Sequence, residues 1–503
     1  MFDVFKIIDF FKKNFSKKHL LIGFFIIILF LFTRLINLDK FPIFCDEGIY
    51  IRWAKVAWKD ASWRFISLTD GKQPLQTWGT IPFLKLFPEN ALLAGRLFGV
   101  IGGLISLIGV FSLSFYLFGK KTAFITSFLY LITPYFLFYE RMALVDSWVN
   151  AGSVWILFLL IYLVKERKLS ASLILGLTTG IFLLAKSTVR IFLLLGVLAP
   201  ILIYEKKLKH FLKNSFNYFI LFGFGSFLAL IIYNIQRLSP FFHYVSQKNL
   251  TFIMSFSEFL KTPFQYFWHN LKYAPLYIFW EMGFVLGVLG VFGLIKLIKK
   301  QFNLGLFFFF WFIIPFLAII FFTKVLTPRY LIFFASFFLI LAGYFISNSK
   351  IKKTLIFLFL ISTIYFNYTI IFDYKNIPFP PVDRGQYIEG WPAGWGVKET
   401  IDYVREKSKQ KPSIIIAEGN FGISHDVLDV FIKSNDKITI KAYWPLKEEN
   451  IFKNLSLLKD NNVYIFFSDT NKFPEHWPIK LIKKIDKPGN KHSFYFYQLL
   501  NND

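Results

Sequence analysis

Two adjacent carboxylates, Asp46 and Glu47, follow the first long apolar segment of the chain by a few residues. Adjacent carboxylates can divide labour, because one can accept a proton from a hydroxyl while the other binds a cation or positions an acceptor group. The alternative is an acidic helix start, since residues 50–58 are helix-like and carboxylates favour a helix N-terminus. Spacing alone leaves both interpretations open.

Charged side chains recur in two later connections. Lys72 lies in the sequence Lys-Gln-Pro-Leu, and Arg141 and Asp146 bracket the sequence Arg-Met-Ala-Leu-Val-Asp. Lys72 and Arg141 could neutralise a phosphate, and Asp146 could orient one of them or bind a metal. The simpler alternatives are a lysine at the membrane interface and an ion pair between Arg141 and Asp146.

Two further cations stand at the ends of apolar segments. Lys186 ends the fifth such segment, and Arg329 with Tyr330 begins the tenth. The topology below places both on the outer side of the membrane, against the usual bias of basic residues toward the cytoplasm. An anionic ligand at the outer surface would supply a reason. The alternative is that Lys186 and Arg329 need no ligand to explain them, because a few basic residues are common on the outer side of membrane proteins.

The composition shows which elements must position these residues. The chain of 503 residues is 55% hydrophobic and contains 68 Phe, far outside the usage of soluble domains. Its net charge of +26 sits in short basic clusters between apolar segments. We interpret these clusters as topology signals and as contacts to anionic lipid headgroups, and we do not expect a nucleic-acid partner. The predicted fold class is therefore an α-helical polytopic membrane protein.

About eleven apolar segments are predicted to cross the membrane, although the fifth and sixth are shorter than a typical span. The predicted spans are Leu20–Leu38, Ala91–Phe118, one ending near Tyr139, one beginning near Ser147, Leu173–Ala185, Ile191–Tyr204, Phe216–Tyr233, one ending before Lys296, Phe302–Phe322, one beginning near Arg329, and Leu355–Phe372. The N-terminus should stay in the cytoplasm because of Lys6, Lys12, Lys13, Lys17 and Lys18, and each later cytoplasmic connection is basic. We therefore expect a multi-pass protein of the cytoplasmic (inner) membrane, with residues 1–372 as its transmembrane domain and large outer loops at 39–90 and 235–272.

The composition changes to mixed polar and charged after Asp373, which predicts a separate extracytoplasmic domain at residues 373–503. Apolar β-rich runs alternate there with helical patterns, the order of a small α/β domain. The predicted strands are Ile414–Ala417, Ile438–Tyr443, Val463–Ser468 and Phe494–Leu499, and the predicted helices lie at Val397–Lys407 and Glu448–Lys459. Gly419 and Gly422 lack the full dinucleotide fingerprint, so they predict a tight turn.

The single cysteine, Cys45, excludes an intrachain disulfide and a multi-cysteine metal site. It follows an apolar segment as a lipoprotein cysteine would. However, the bulky Phe44 precedes it and no small-residue cleavage site is present, so we expect the first segment to remain an uncleaved span.

The charged clusters, in this order, resemble the membrane-embedded glycosyltransferases of the GT-C class, in the family of protein O-mannosyltransferases and aminoarabinose lipid A transferases. The resemblance covers most of the chain from Arg34 to Tyr344. The matching elements are the acidic pair Asp46 and Glu47, the Lys72 to Leu75 element with Gln73 where the family has proline, the element from Arg141 to Asp146, the Gly176, Leu177, Gly180, Leu184 and Lys186 pattern, and the pair Arg329 and Tyr330.

The resemblance implies a polyprenyl phosphate that carries one sugar, and inversion at the anomeric carbon. It implies that Asp46 is the general base and that Glu47 positions the acceptor. Lys72, Lys186, Arg329 and Tyr330 would hold the donor phosphate, and Arg141 and Asp146 would shape the site. Some relatives use a divalent metal such as Mg²⁺ or Mn²⁺, for which Asp46, Glu47 and Asp146 would be the candidate ligands. The resemblance leaves open both the sugar and the acceptor, which is a hydroxyl or a phosphate of a protein, a lipid or an envelope glycan.

A transporter or lipid flippase is the main alternative, because such proteins also combine many spans with buried charge. The sequence shows no internal repeat and no paired broken helices in corresponding halves, which are typical of transporters. The segment from Tyr387 to Gly396, rich in aromatic residues and glycine, is either an acceptor-facing loop or a packed connector. A catalytically inactive scaffold whose soluble domain binds an envelope partner is the third alternative.

Overall fold

The computed structural model describes residues 14–501 and is mostly helical, with a small sheet at its C-terminal end. The predicted cytoplasmic anchors Lys6, Lys12 and Lys13 lie outside the described residues. The longer α-helices are Lys17–Leu35, Cys45–Lys59, Leu75–Leu86, Ala91–Phe118, Lys120–Leu131, Asp146–Glu166, Leu169–Leu183, Leu208–Asn234, Tyr244–Phe252, Phe267–Glu281, Val285–Lys300, Phe302–Phe322, Ile332–Ser347, Lys352–Phe372 and Val397–Ser408. Shorter α-helices are Pro134–Tyr139, Arg190–Leu194, Phe256–Lys261, Pro381–Arg384, Asp426–Phe431 and Glu448–Lys453.

Seven of the helices in residues 14–501 are long and apolar enough to cross a bilayer. These are Lys17–Leu35, Ala91–Phe118, Asp146–Glu166, Leu208–Leu238, Phe302–Phe322, Pro328–Ser347 and Lys352–Phe372. Each coincides with a predicted span. The chain is therefore a multi-pass membrane protein with an extensive apolar helical region.

The remaining predicted spans are short or interrupted. Residues 120–139 form two helices, Lys120–Leu131 and Pro134–Tyr139, because Pro134 has no N–H to continue the first helix. The fifth span is the short helix Leu169–Leu183, and the sixth is mainly a 3-10 helix, Leu195–Ile203, that contains Pro200. The eighth is bent by 107° between Phe267–Glu281 and Val285–Lys300.

The bundle packs around helices that lie deep in the protein. Ile332–Ser347 and Asp146–Glu166 are the most buried of the apolar helices, and Ala91–Phe118 packs against the second of them. Small residues allow close approach: a Cβ added at Gly293 would lie 2.1 Å from the carbonyl oxygen of Leu341. Such contacts are typical of helix packing in membranes, where dispersion and shape replace the hydrophobic effect.

The C-terminal sheet has five strands in the order β2-β1-β3-β5-β4. They are β1 Ser413–Glu418, β2 Ile438–Tyr443, β3 Asn462–Phe467, β4 Ile479–Asp486 and β5 Ser493–Leu499. Strands β2, β1 and β3 are parallel, and β5 is antiparallel to both β3 and β4. The four predicted strands are present. The sequence pattern did not reveal β4, because this edge strand carries several exposed lysines and no continuous apolar run.

The turn after β1 confirms the predicted role of its glycines. Gly419 and Gly422 have φ of 115° and 80°, in the region that strains other residues. The turn brings Gly422 against Cys45, since a Cβ at Gly422 would lie 2.9 Å from the cysteine sulfur. The C-terminal sheet domain therefore rests directly on the start of helix Cys45–Lys59.

Candidate active site

A cavity of about 750 Å³ lies where the charged connections meet the C-terminal domain. Among the described residues, five cationic and three anionic side chains line it, an excess of two positive charges. They are Lys72, Lys186, Arg190, Lys248 and Arg329, and Asp46, Asp70 and Asp146. Apolar side chains such as Ile319, Phe322, Val325 and Leu194 form another part of the wall. The cavity thus combines an anion-attracting end with an apolar end.

Asp46 lies in the first turn of helix Cys45–Lys59 and faces this cavity with 23% of its side chain exposed. Its Oδ2 is 2.7 Å from Nη1 of Arg329, and its Oδ1 is 3.4 Å from Nζ of Lys72. Burial acts to raise the pKa of the Asp46 carboxyl, but Lys72 and Arg329 together outweigh it and hold that pKa well below its usual range. Asp46 is therefore a carboxylate at neutral pH.

Lys72 follows the 3-10 helix Ile66–Asp70 and the turn at Gly71, where φ is 64°. Its Nζ is 3.6 Å from Asp70, which also pairs with Lys248 at 2.6 Å. The ammonium lies over the rings of Tyr50 and Trp53. Burial acts to lower the pKa of Lys72, but the carboxylates of Asp46 and Asp70 more than reverse this, so the pKa is raised and the ammonium stays charged.

A second ion pair lies across the cavity. Nζ of Lys186 is 3.3 Å from Oδ1 of Asp146, which is the first residue of helix Asp146–Glu166. The same ammonium lies 3.9 Å from the centre of the Tyr330 ring. The hydroxyl of Tyr330 accepts a hydrogen bond of 3.0 Å from Nη2 of Arg329. Tyr330 therefore connects the two ion pairs.

Glu47 lies outside the cavity, although it is adjacent to Asp46. Its side chain is fully buried and pairs with Arg96 through two hydrogen bonds of 2.8 Å. It also accepts hydrogen bonds from the backbone N–H groups of Phe44 and Ala143. Helix geometry explains the separation, because consecutive residues on a helix point in directions about 100° apart. Of the two interpretations of the acidic pair, the acidic helix start therefore describes Glu47. Asp46 instead faces the cavity.

Arg141 also lies outside the cavity lining. Its guanidinium donates to the carbonyl oxygens of Thr33, Arg34 and Asn37, at and just beyond the end of helix Lys17–Leu35. A cation suits that position because the carbonyls at a helix C-terminus lack partners within the helix. The alternative ion pair between Arg141 and Asp146 is not formed, since Asp146 pairs with Lys186.

Several residues of this region escaped the sequence interpretation. Arg96, the partner of Glu47, lies inside a predicted span, and an arginine in an apolar helix was a signal available in the sequence. The same holds for Arg34, which forms a fully buried pair of 2.9 Å with Glu140. Asp70 ends the 3-10 helix Ile66–Asp70 and Lys248 lies in helix Tyr244–Phe252, and no sequence spacing indicates their contact.

The cavity does not present a metal-binding donor set. No group of three or more His, Cys, Asp or Glu residues suited to a metal occurs in the part of the chain that the structure describes. Asp46 and Asp146 each pair with a cation, and both oxygens of Glu47 accept hydrogen bonds in the buried cluster with Arg96. The three candidate ligands therefore do not converge on one point.

Comparisons with known proteins agree with the resemblance seen in the sequence. A family described as dolichyl-phosphate-mannose-protein mannosyltransferase matches residues 72–234, which include Lys72, Asp146 and Lys186. Two crystal structures of ArnT from Cupriavidus metallidurans share the fold with a TM-score of 0.58. The apo form is 13% identical, and the match covers 95% of this chain and 97% of the ArnT chain. The form bound to undecaprenyl phosphate is 12% identical, and the match covers 96% of this chain and 98% of the ArnT chain.

The archaeal oligosaccharyltransferase AglB from Archaeoglobus fulgidus, in complex with an inhibitory peptide and a dolichol-phosphate, is 13% identical with a TM-score of 0.52. It covers 91% of this chain, which matches 69% of that protein. A comparison with curated protein sequences finds no match. The chain therefore shares its fold with ArnT, which confirms the predicted fold class of an α-helical polytopic membrane protein with a small C-terminal α/β domain.

Proposed function

We propose that this protein transfers a single sugar from a polyprenyl-phosphate donor to an acceptor hydroxyl, with inversion at the anomeric carbon, at the outer face of the cytoplasmic membrane. The observation that carries the proposal is the position of Asp46. It is a carboxylate inside a cavity with excess positive charge, and two cations of that cavity contact it directly. The matched mannosyltransferase family and the undecaprenyl phosphate bound by ArnT support the donor class.

The cations suit the charge that develops on the donor. Attack by the acceptor oxygen forms a bond to the anomeric carbon while the bond from that carbon to the phosphate oxygen breaks. The phosphodiester carries one negative charge, and the polyprenyl phosphate that leaves carries two. Lys72, Lys186 and Arg329 surround the space in which this charge appears, and fixed cations in a site of limited water access stabilise it strongly.

Asp46 takes the proton that the acceptor hydroxyl loses. In the free protein, Arg329 and Lys72 make this carboxylate a weak base. A donor phosphate that contacts these two cations competes with Asp46 for them, so the pKa of Asp46 rises toward its ordinary value when the donor is in place. A positioned carboxylate of ordinary pKa is a workable base, because the proton needs to leave only as the new bond forms.

The apolar wall suits the polyprenyl chain. Leu194 and Val325 line the cavity and are also 68% and 42% exposed, so the apolar end of the cavity opens onto the outer surface of the helical bundle. A lipid tail can enter along such an opening while its phosphate reaches the cations. Tyr330 and Asp146 complete the donor site by holding Arg329 and Lys186 in place.

The test is sugar transfer by the purified protein with polyprenyl-phosphate sugars as donors. Asp46→Asn retains the shape of the side chain and removes the proton acceptor, so turnover should fall by roughly a hundredfold or more. Donor binding should survive or tighten in this variant, because Lys72 and Arg329 lose a competing carboxylate. Near-normal turnover in Asp46→Asn would overturn its role as the base.

Lys72→Ala, Lys186→Ala and Arg329→Ala should each weaken donor binding while the protein stays folded. Unchanged affinity for polyprenyl phosphate in all three variants would remove the assignment of the phosphate site. A protein that moves the intact donor across vesicle membranes without cleaving it would instead be a flippase.

A further inference from the structure

The cavity has two walls of different chemistry. Its charged side chains come from residues 46–329, in the helical bundle and its loops. Among the described residues, the C-terminal domain contributes Trp391, Phe421 and Gly422 to the lining, and none of these is charged. A ligand that extends from Asp46 toward this domain therefore meets uncharged aromatic rings.

Both aromatic side chains are open to ligand. Trp391 is 49% exposed and Phe421 is 50% exposed, although both border a cavity. The ring of Phe421 lies 6.2 Å from that of Trp53, which belongs to the same helix as Asp46. The next residue, Gly422, contacts Cys45, the neighbour of Asp46. Phe421 is therefore held close to the carboxylate.

The backbone around Trp391 is also fixed relative to Asp46. The N–H of Cys45 donates a hydrogen bond of 2.9 Å to the carbonyl of Pro392, and the N–H of Gly394 donates one of 2.8 Å to Ile43. This short pairing occupies the extended backbone just before Asp46. The ring of Trp391 therefore sits on a segment that cannot shift without breaking contacts to the first turn of the helix.

A buried lysine supports the same segment from the other side. Nζ of Lys487 donates to the carbonyl oxygens of Gly390 and Trp391 at 3.0 and 2.9 Å, and the residue is only 1% exposed. Burial lowers the pKa of Lys487 to about 7. A lysine is rarely buried in this way unless hydrogen bonds compensate for the loss of its hydration. The two hydrogen bonds from Lys487 therefore fix the position of the loop that carries Trp391.

We propose that Trp391 and Phe421 form an acceptor subsite for an uncharged sugar ring, so that the acceptor hydroxyl belongs to a neutral glycan. This inference rests on the proposed transfer reaction. The flat C–H face of a pyranose packs well on an exposed aromatic ring. A phosphorylated or acidic acceptor would require cations on this wall. The backbone beside Trp391 is already paired with residues 43–45, so it does not offer that edge to an added peptide strand.

Saturation-transfer NMR on the full-length protein in nanodiscs tests the subsite. The probes are neutral mannose and N-acetylglucosamine oligosaccharides and, separately, a serine- and threonine-rich peptide. Trp391→Ala and Phe421→Ala should each weaken oligosaccharide binding by about tenfold or more, the scale of a lost stacking contact. Trp391→Phe should retain most of the affinity. Trp444→Ala is the matched control, because Trp444 is 62% exposed on the same domain and lies outside the cavity lining.

Binding of polyprenyl phosphate, measured in parallel, separates this proposal from the transfer reaction itself. It should change by less than about twofold in the aromatic variants, since neither ring carries a charge that a phosphate would contact. If polyprenyl phosphate binds but no neutral oligosaccharide does, the glycan proposal is wrong and the donor assignment stands. Peptide binding that Trp391→Ala abolishes would likewise overturn it in favour of a protein acceptor. Loss of polyprenyl phosphate binding in the unmodified protein would instead refute the proposed function.

Discussion

In the proposed reaction, the donor phosphate competes with Asp46 for Arg329 and Lys72, and this competition has a measurable consequence. In the free protein, burial raises the pKa of the Asp46 carboxyl, and Lys72 and Arg329 lower it by more. The carboxylate form should therefore persist below the ordinary aspartic acid pKa of about 4. The profile of kcat/KM against pH, which reports groups of the free enzyme, should show no loss from Asp46 until the pH falls below that value.

Arg329→Met removes one of the two lowering influences, so the pKa of Asp46 should rise. In the proposed mechanism Asp46 acts in its deprotonated form, so activity should then be lost at a higher pH as the solution is acidified. The measurement is the acid limb of kcat/KM for the variant and the unmodified protein. Lys186→Met is the control, since Lys186 pairs with Asp146 and should leave this limb in place. An unmoved limb in Arg329→Met would show that Asp46 does not set it.

Glu47 should behave as a structural residue. Glu47→Gln leaves Arg96 buried without its full charge partner, and breaking a buried ion pair from one side typically costs about 3–5 kcal/mol. We expect a clear fall in thermal stability in detergent, with loss of activity that follows the loss of folded protein. The double variant Glu47→Gln with Arg96→Met should lose less than the sum of the two single variants. A fully stable Glu47→Gln protein with a raised acceptor KM would instead restore the role of acceptor positioning.

Part of the composition of this cavity could be predicted from the sequence. Asp46, Lys72, Asp146, Lys186, Arg329 and Tyr330 were candidates from the sequence, and all six line one cavity. Glu47 and Arg141 could not be separated from them, because residue type and spacing do not reveal which way a side chain points. Trp391 belongs to the aromatic-rich segment from Tyr387 to Gly396, and Phe421 lies in the predicted turn between Gly419 and Gly422, but only the packing of the two domains brings them beside Asp46.

Among the elements, the contact between helix Cys45–Lys59 and helix Asp426–Phe431 fixes Asp46 relative to the C-terminal domain. Gly48 allows this contact, since a Cβ there would lie 2.5 Å from Cγ2 of Val427 and 3.0 Å from its Cα. Backbone atoms cannot move aside as a flexible side chain can. Two salt bridges reinforce the contact, Arg52 with Asp426 at 3.0 Å and Lys55 with Asp429 at 3.0 Å.

Gly48→Ala should therefore force the two helices apart and destabilise the protein by about 1–3 kcal/mol, the usual cost of overpacking. Thermal unfolding and limited proteolysis of the C-terminal domain are the measurements. Gly223→Ala is the matched control, because Gly223 also lies within a helix but an added Cβ would meet no atom within 4 Å. Equal stability of the two variants would contradict the close contact.

The sequence predicted helices well where a run of apolar residues was long. It predicted them poorly where the chain bends within such a run. The 107° turn in the eighth span lies at Gly283 and Phe284, which both have positive φ. Nothing in the apolar pattern of residues 267–300 indicates that turn. Edge strand β4 was missed for the opposite reason, since it requires charged residues on its open side and so lacks an apolar run.

Across the whole molecule, the ends of the apolar helices fall into two groups. One group carries the cavity and its loops, where Lys324 pairs with Glu258 at 2.9 Å and Ile253 forms a bridge with Thr323. In the other group, Lys120 donates to the carbonyl of Asn14, Lys296 to that of Asn348 and Asn303 to that of Tyr204. The two groups of helix ends should therefore lie on opposite faces of the membrane, and each connection between helices should lie on the same face as the helix ends that it joins.

The charge of the two groups orients the molecule in the membrane. The connections at residues 165–168, 206–213 and 296–300 belong to the second group and are rich in lysine, which predicts that this group faces the cytoplasm. The cavity and the C-terminal sheet would then face the outside. Reporters fused after Lys168 and Lys300 should accordingly show a cytoplasmic signal, and those after Ser255 and Asp436 an external one.

Each fusion site should be tested with two reporters that are active on opposite sides of the membrane. Alkaline phosphatase is active only outside the cytoplasm, and green fluorescent protein exported by the general secretion route fluoresces only inside, so each site should be positive with one and negative with the other. A cytoplasmic signal at Asp436 alone would mean that the number of spans after Ser255 is wrong. If all four sites gave the reverse pattern, the cavity would open to the cytoplasm, and Asp46 could not act on an acceptor outside the cell.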